Sequence, residues 1–238
     1  MTRTAITDMD DEPLTAQIAG KIREMLISGE LAPGAKLSEQ QIATQFGISR
    51  NTLREIFRLL TSQNLLVHIP NRGVFVATPG EASVVDIYRV RHVIQKGAVR
   101  AAVRTHPALA RMRELLARTE ASREAGDWRS VGTINMEFHR SMVELCDSPR
   151  LSACFELVLA ELRLVFAQFE DTAHLHAPYI ALNCELLASL EAGDIETASD
   201  QLDAYLVRSE RSVLAALQTA KPKSFRAHVM IEPFDPGQ

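Results

Sequence analysis

Cysteine and aromatic residues are both scarce in this 238-residue chain: three cysteines, one tryptophan, and aromatics at 5%. Cys146, Cys154 and Cys184 are odd in number, widely spaced and contain no C-x-x-C pair, so no disulfide framework is expected. They read as reduced core residues of a cytoplasmic protein. No apolar run reaches the ~18–20 residues that a membrane span requires. Residues 1–12 end in acids, where a secretory leader would carry a basic region followed by an apolar one. Neither secretion nor contact with a membrane is expected. The chain also lacks a nucleophile elbow, a phosphate-binding loop and a complete metal triad, which removes the commonest enzyme signatures.

What remains is ordinary for a globular protein: 46% hydrophobic and 24% charged residues, at a length that allows two unequal domains. The net charge of -4 on its own argues against a partner as acidic as nucleic acid. Its distribution argues otherwise. Residues 13–77 hold seven bases against four acids, a net of +3, whereas residues 78–220 hold 15 against 20, a net of -5. The texture changes at the same place. Before Thr78 come the turn signals Pro33-Gly34, Phe46-Gly47, Pro70-Asn71 and Arg72-Gly73; after it glycine thins out and apolar residues recur at spacings of three and four.

This divides the chain into a flexible tail (1–12), a small domain (13–77), a linker (78–81), a helical domain (82–220) and a second tail (221–238). In the large domain the periodicity predicts helices at Glu81–Arg104, Pro107–Ala125, Trp128–Cys146, Pro149–Asp171, Pro178–Ala192 and Ile195–Thr219. Trp128 opens its helix as a packing residue. Six helices with short connections predict an antiparallel bundle.

In the small domain Leu14, Ile18, Ile22, Met25 and Leu26 form one apolar stripe that ends at Ser28-Gly29. Ser38, with Gln41 three residues on, starts a second helix. After Gly47, Ser49 can cap a third, in which Leu53, Ile56, Phe57 and Leu60 share one side while Asn51, Arg54, Glu55 and Arg58 project from the other. This is helix-turn-helix patterning. Guanidinium and amide groups on the exposed face can pair bidentately with guanine and adenine edges in the major groove. Arg50 in the first turn can reach a phosphate. Val67–Ala77 reads as a two-stranded wing whose tip, Asn71-Arg72-Gly73, places a cation where a minor groove or backbone would pass.

The order Pro33-Gly34-x-x-Leu37-x-Glu39, Ile42-Ala43-x-x-x-Gly47-Ile48-Ser49-Arg50-x-x-Leu53-Arg54-Glu55, Leu60 and Asn71-Arg72-Gly73-x-x-Val76 resembles the winged-helix domain of GntR-family bacterial transcription regulators. With a helical domain of this size the chain resembles the FadR subfamily, and the six-helix count favours its vanillate-repressor-type group, whose second domain is an FCD ligand-binding domain. The fold this implies is mainly α: a winged helix-turn-helix followed by a six-helix antiparallel bundle. The function it implies is a regulator, not an enzyme: a homodimeric repressor on a palindromic double-stranded DNA operator, released by a small organic acid. The expected DNA-binding residues are Arg50, Asn51, Thr52, Arg54, Arg58, Arg72 and Gly73. Many relatives carry arginine where this chain has Gln40.

In the second domain the resemblance implies a divalent metal held by an aspartate and a histidine four apart, followed by two histidines on the last two helices. Here those positions fall on Asn135, His139, Asn183 and Tyr205, so three of the four are altered. Amide and phenol oxygens are poor zinc donors, and no carboxylate remains to balance its charge. A metal-free site with no cofactor is expected. The four side chains can orient a carboxylate or hydroxyl, and Arg91 adds charge. The resembling family has glutamate four residues after that arginine, where this chain has Gln95, which leaves the guanidinium open to an organic acid. Two alternatives stand beside this: an enzyme that uses Glu137 and His139 as an acid/base pair, and a DNA-binding protein whose polar site is vestigial. His174-Leu175-His176 reads as a surface loop. Apolar residues near Val84–Val99 and Leu151–Phe169 are candidates for a subunit contact.

Overall fold

The computed structural model describes residues 13–169 and 172–219; the two expected tails lie outside the described residues. Two compact units divide between Ala77 and Thr78.

The first unit opens with α1 (Leu14–Ser28), which ends where Gly29 takes a left-handed φ of 79° that a side chain would oppose. Ile18, Ile22, Met25 and Leu26 are buried as their spacing requires. Leu14 is not: it is 58% exposed at the first helical position, one turn beyond the core that the stripe covers. Ser38 and Ser49 cap α2 (Glu39–Gln45) and α3 (Arg50–Ser62), their hydroxyls accepting from the N–H groups of Gln41 and Thr52 at 3.3 and 3.1 Å. Each such cap stabilises its helix by ~1 kcal/mol. Leu53, Ile56, Phe57 and Leu60 of α3 all point inward.

The chain then forms the expected hairpin, β2 (Leu66–Ile69) and β3 (Gly73–Val76), antiparallel with Leu66 opposite Val76. A third strand, β1 (Lys36–Leu37), pairs with the free edge of β3 and gives the order β1-β3-β2. Two residues are too few for alternation to register in a sequence, so this strand is a product of tertiary pairing.

The second unit contains, among the described residues, six helices: α4 (Glu81–Ala101), α5 (Pro107–Glu124), α6 (Trp128–Glu144), α7 (Pro149–Phe166), α8 (Ala173–Ala192) and α9 (Ile195–Thr219). His106, Asp127 and Ser148 cap α5, α6 and α7, and proline opens α5 and α7, where its missing N–H has no partner to lose. α5 packs on α6, α9 on both α4 and α8, and α7 on α4. Tyr88, Met112, Phe138, Phe155, Leu202 and Leu206 lie in the common core. Burial of each stabilises the bundle by ~1.5–3 kcal/mol.

Three expectations are corrected. α8 starts five residues before Pro178, which falls inside it, so His174-Leu175-His176 is helical and not a loop. Pro178 there lacks only the bond to the His174 carbonyl, and burial of Leu175, His176 and Tyr179 offsets that loss. α7 ends at Phe166 rather than Asp171, and α4 and α6 end at Ala101 and Glu144, two or three residues early. The cysteines are not fully buried core residues: Cys154 on α7 and Cys184 on α8 are exposed because they fall on the outward sides of their helices, and Cys146, just past the end of α6, is half-buried against the edge of the core.

Candidate DNA-binding face and buried polar site

Capping by Ser49 sets the first turn of α3, and its apolar side docks on the small core, so the opposite side must face outward. Arg50, Asn51, Arg54 and Arg58 are all exposed there, and Thr52 is half-buried. Two of these groups are already engaged. The Thr52 hydroxyl lies 2.9 Å from that of Ser49, and the Arg54 Nε donates to Glu39 Oε2 at 3.0 Å. The pair between α2 and α3 holds the Arg54 stem while its terminal nitrogens stay available for a bidentate contact. Glu39 was visible only as part of a family pattern, because a contact spanning 15 residues between two helices has no local signature. Gln40, beside it on α2, is exposed.

At the wing, Asn71 has a φ of 61° and Gly73 a φ of 107°. A Cβ on Gly73 would come within 3.3 Å of Lys36 Cε, an end of a flexible side chain that can yield, so the turn requires glycine for its conformation. Arg72 projects from the tip with its guanidinium 5.8 Å from the centroid of the Phe75 ring. Between α3 and the wing lies an open groove of about 420 Å³, whose lining includes Arg54, Arg58, Thr61 and His68. His68 had no helical pattern to mark it; it joins this lining only because β2 returns alongside α3.

In the bundle, α4, α6, α8 and α9 bring all six expected residues into one hydrogen-bonded chain. The Arg91 Nε donates to Gln95 Oε1 at 3.3 Å, and Gln95 Nε2 meets His139 Nδ1 at 2.7 Å. His139 Nε2 meets the Tyr205 hydroxyl at 2.9 Å. That hydroxyl donates to Asn135 Oδ1 at 3.1 Å, and Asn183 Nδ2 donates to the same oxygen at 2.7 Å. Only one set of proton positions satisfies the chain. Tyr205 gives its proton to Asn135, so its oxygen accepts from a protonated His139 Nε2, and the bare Nδ1 accepts from the Gln95 amide.

His139 is therefore neutral. Burial, and after it the positive charge of Arg91, hold its pKa well below the usual 6.5. Burial likewise pushes the Tyr205 phenol up. Arg91 itself is 2% exposed, lies 4.7 Å from the centroid of the Tyr88 ring, and has no carboxylate paired with it among the described residues. Glu137 is on a different side of α6, where it meets Arg118 at 3.5 Å on the surface. It does not face His139, so the two make no acid/base pair.

The residues do not fit the metal that the resemblance implies. The Nε2 of His139 carries a proton and its Nδ1 is occupied by an amide N–H, leaving no free lone pair. Among the described residues no three His, Cys, Asp or Glu side chains are placed to hold an ion.

A second buried histidine was not anticipated. His176 packs its ring against Phe166, with centroids 4.9 Å apart, and against Gly132. Burial, then the charges of Arg163 and His174, lower its pKa to about 4.

A winged helix-turn-helix followed by a helical bundle that encloses a charged, hydrogen-bonded interior defines a DNA-binding transcription regulator with a sensing domain. Comparison with known proteins makes this specific. The chain belongs to the family described as bacterial regulatory proteins, gntR family, which it matches over residues 14–76; an FCD domain, the effector-binding module, follows at residues 86–208. The solved structure of a GntR transcriptional regulator from Rhodococcus sp. RHA1 is 35% identical, with a TM-score of 0.78 over 85% of this chain and 98% of that one. The structure of McbR from E. coli is 27% identical, with a TM-score of 0.74 over 87% of this chain and all of the other. In sequence McbR is 30% identical over 145 residues, 60% of this chain and 66% of that protein. The "Probable D-xylose utilization operon transcriptional repressor" of Paenarthrobacter nicotinovorans is 28% identical over 85% of this chain and 95% of its own length. Relatives and family alike are transcription regulators and not enzymes, and no helix among the described residues is long and apolar enough to cross a membrane.

Proposed function

We propose that this regulator acts in the cytoplasm as a homodimeric repressor, with residues 13–77 reading a palindromic operator and residues 82–220 releasing it when a small organic acid binds. Arg54 and Asn51 read base edges, Arg50, Thr52 and Arg58 set register on the phosphates, and Arg72 enters the adjacent groove beside Gly73. Val93, 75% exposed on α4, supports a subunit contact along that helix. The observation that carries the sensing role is Arg91: a buried guanidinium with no carboxylate partner is costly, and an organic anion relieves that cost. Effector binding that favours one arrangement of two reading heads need contribute only ~1–3 kcal/mol to change operator affinity 5–150-fold.

The test uses duplexes enriched from a random library by the wild-type protein. Arg54→Ala should reduce the preference for enriched over random duplex about 10-fold or more, the loss of one bidentate base contact, whereas Arg72→Ala should weaken both. Unchanged affinities in both variants would refute the assignment of the reading face.

A further inference from the structure

We infer that the bundle site takes a hydroxycarboxylate, an organic acid whose carboxylate pairs with Arg91 and whose hydroxyl donates to Asn183 Oδ1. This rests on the anion-sensing role proposed above and adds to it the chemistry of the ligand's other end.

Asn183 is 4% exposed, and its Oδ1 is buried without a hydrogen-bond partner. Its orientation is set by its neighbour. The Asn183 Nδ2 donates to Asn135 Oδ1 at 2.7 Å, and turning the amide over would set two acceptor oxygens against each other. A buried carbonyl oxygen left without a donor costs ~1–3 kcal/mol, and native structures keep few of them. What satisfies it must bring an O–H or N–H. A carboxylate, a ketone or an ether brings only acceptors.

The middle of the chain exerts no comparable demand. Gln95, His139 and Tyr205 satisfy one another, and both ring nitrogens of His139 are occupied. The open requirements are at the two ends: a cationic donor that calls for an anion, and a neutral acceptor that calls for a donor. An ammonium group would also donate to Asn183. It would do so as a second buried cation in a site that already holds Arg91 and where no carboxylate pairs with either residue, so a neutral hydroxyl is the better match.

The experiment uses full-length protein at neutral pH with a metal chelator present, and matched sets of a hydroxy acid with its oxo and deoxy counterparts: lactate, pyruvate and propionate; malate, oxaloacetate and succinate; 3-hydroxybutyrate, acetoacetate and butyrate; mandelate, phenylglyoxylate and phenylacetate. Thermal shift finds the sets that bind and calorimetry measures them. In at least one set the hydroxy acid should bind about 10-fold or more tightly than both counterparts, because a site built to pair a hydroxyl rejects analogues that lack it. Asn183→Leu should bring that ratio to near one, while Arg91→Ala should weaken every member. If Asn183→Leu does not fold, the wild-type ratios decide the matter alone. Oxo or deoxy acids that bind as well as the hydroxy acid, with binding still lost in Arg91→Ala, overturn the hydroxyl inference and leave the anion site standing. No shift from any member at millimolar concentration overturns both.

Discussion

Replacing Gln95 by glutamate should close the sensor by supplying from within the carboxylate that the ligand would otherwise bring. The side chain sits 3.3 Å from the Arg91 Nε, so a carboxylate in its place attracts the guanidinium by about 5 kcal/mol at an effective dielectric of about 20. Desolvation of the new charge reduces the net gain but not its direction. An incoming anion would then meet a neutralised arginine and forgo a charge-assisted contact worth ~1.5–3 kcal/mol, so carboxylates should bind ~10-fold to 100-fold more weakly. The same substitution removes the amide donor that faces His139 Nδ1 and puts an acceptor there. A carboxylate beside the ring favours the protonated imidazole, so its depressed pKa should rise. Two measurements check this: calorimetry with the acids that bind the wild type, and an NMR titration of the His139 ring in both proteins. Carboxylate affinities within about 3-fold of wild type, together with an unmoved His139 titration, would show that Arg91 is not the anchor and that residue 95 does not face the imidazole.

Gly132→Ala should destabilise the bundle by ~1–3 kcal/mol despite a better helix propensity, because the added Cβ would lie 2.5 Å from His176 Nε2 in a ring that is itself buried. Urea denaturation reads this, and a stabilised variant would mean that the His176 ring moves freely. His176 also makes stability depend on pH. Its pKa is lowered to about 4 in the folded protein against 6.5 when unfolded, so its contribution is complete above pH 6.5 and is lost as pH falls toward 4. The full loss is about 3 kcal/mol. His176→Phe should therefore show a shallower decline in urea midpoint between neutral pH and pH ~4.5 than the wild type, and parallel declines would contradict the assignment.

Much of the molecule was legible before any coordinates. The helices of both units, the capping roles of Ser38 and Ser49 and the basic outer side of α3 follow from spacing, because helical periodicity and caps are local. So was the membership of the polar site, through the family pattern: Arg91, Gln95, Asn135, His139, Asn183 and Tyr205 were each marked by position. Errors arose where burial outweighs a local preference. Pro178 looked like a helix boundary because its ring opposes helix interiors, yet the core claims Leu175, His176 and Tyr179 and carries α8 through it. The cysteines looked like core because that is their usual place, and only packing decides which side of a helix meets the interior.

What the sequence determines by itself is thus the class of fold, the division of charge between a basic reader and an acidic sensor, and which side chains are candidates for each task. Those are properties of neighbours along the chain and of patterns repeated in a family. Tertiary structure decides how the candidates engage one another. It assigns the Arg54 stem to Glu39, pairs β1 with the wing, and orders four helices so that His139 must be neutral and Asn183 Oδ1 is left without a donor. A hydrogen bond depends on angle and distance between groups up to 121 residues apart, and those are set by packing alone.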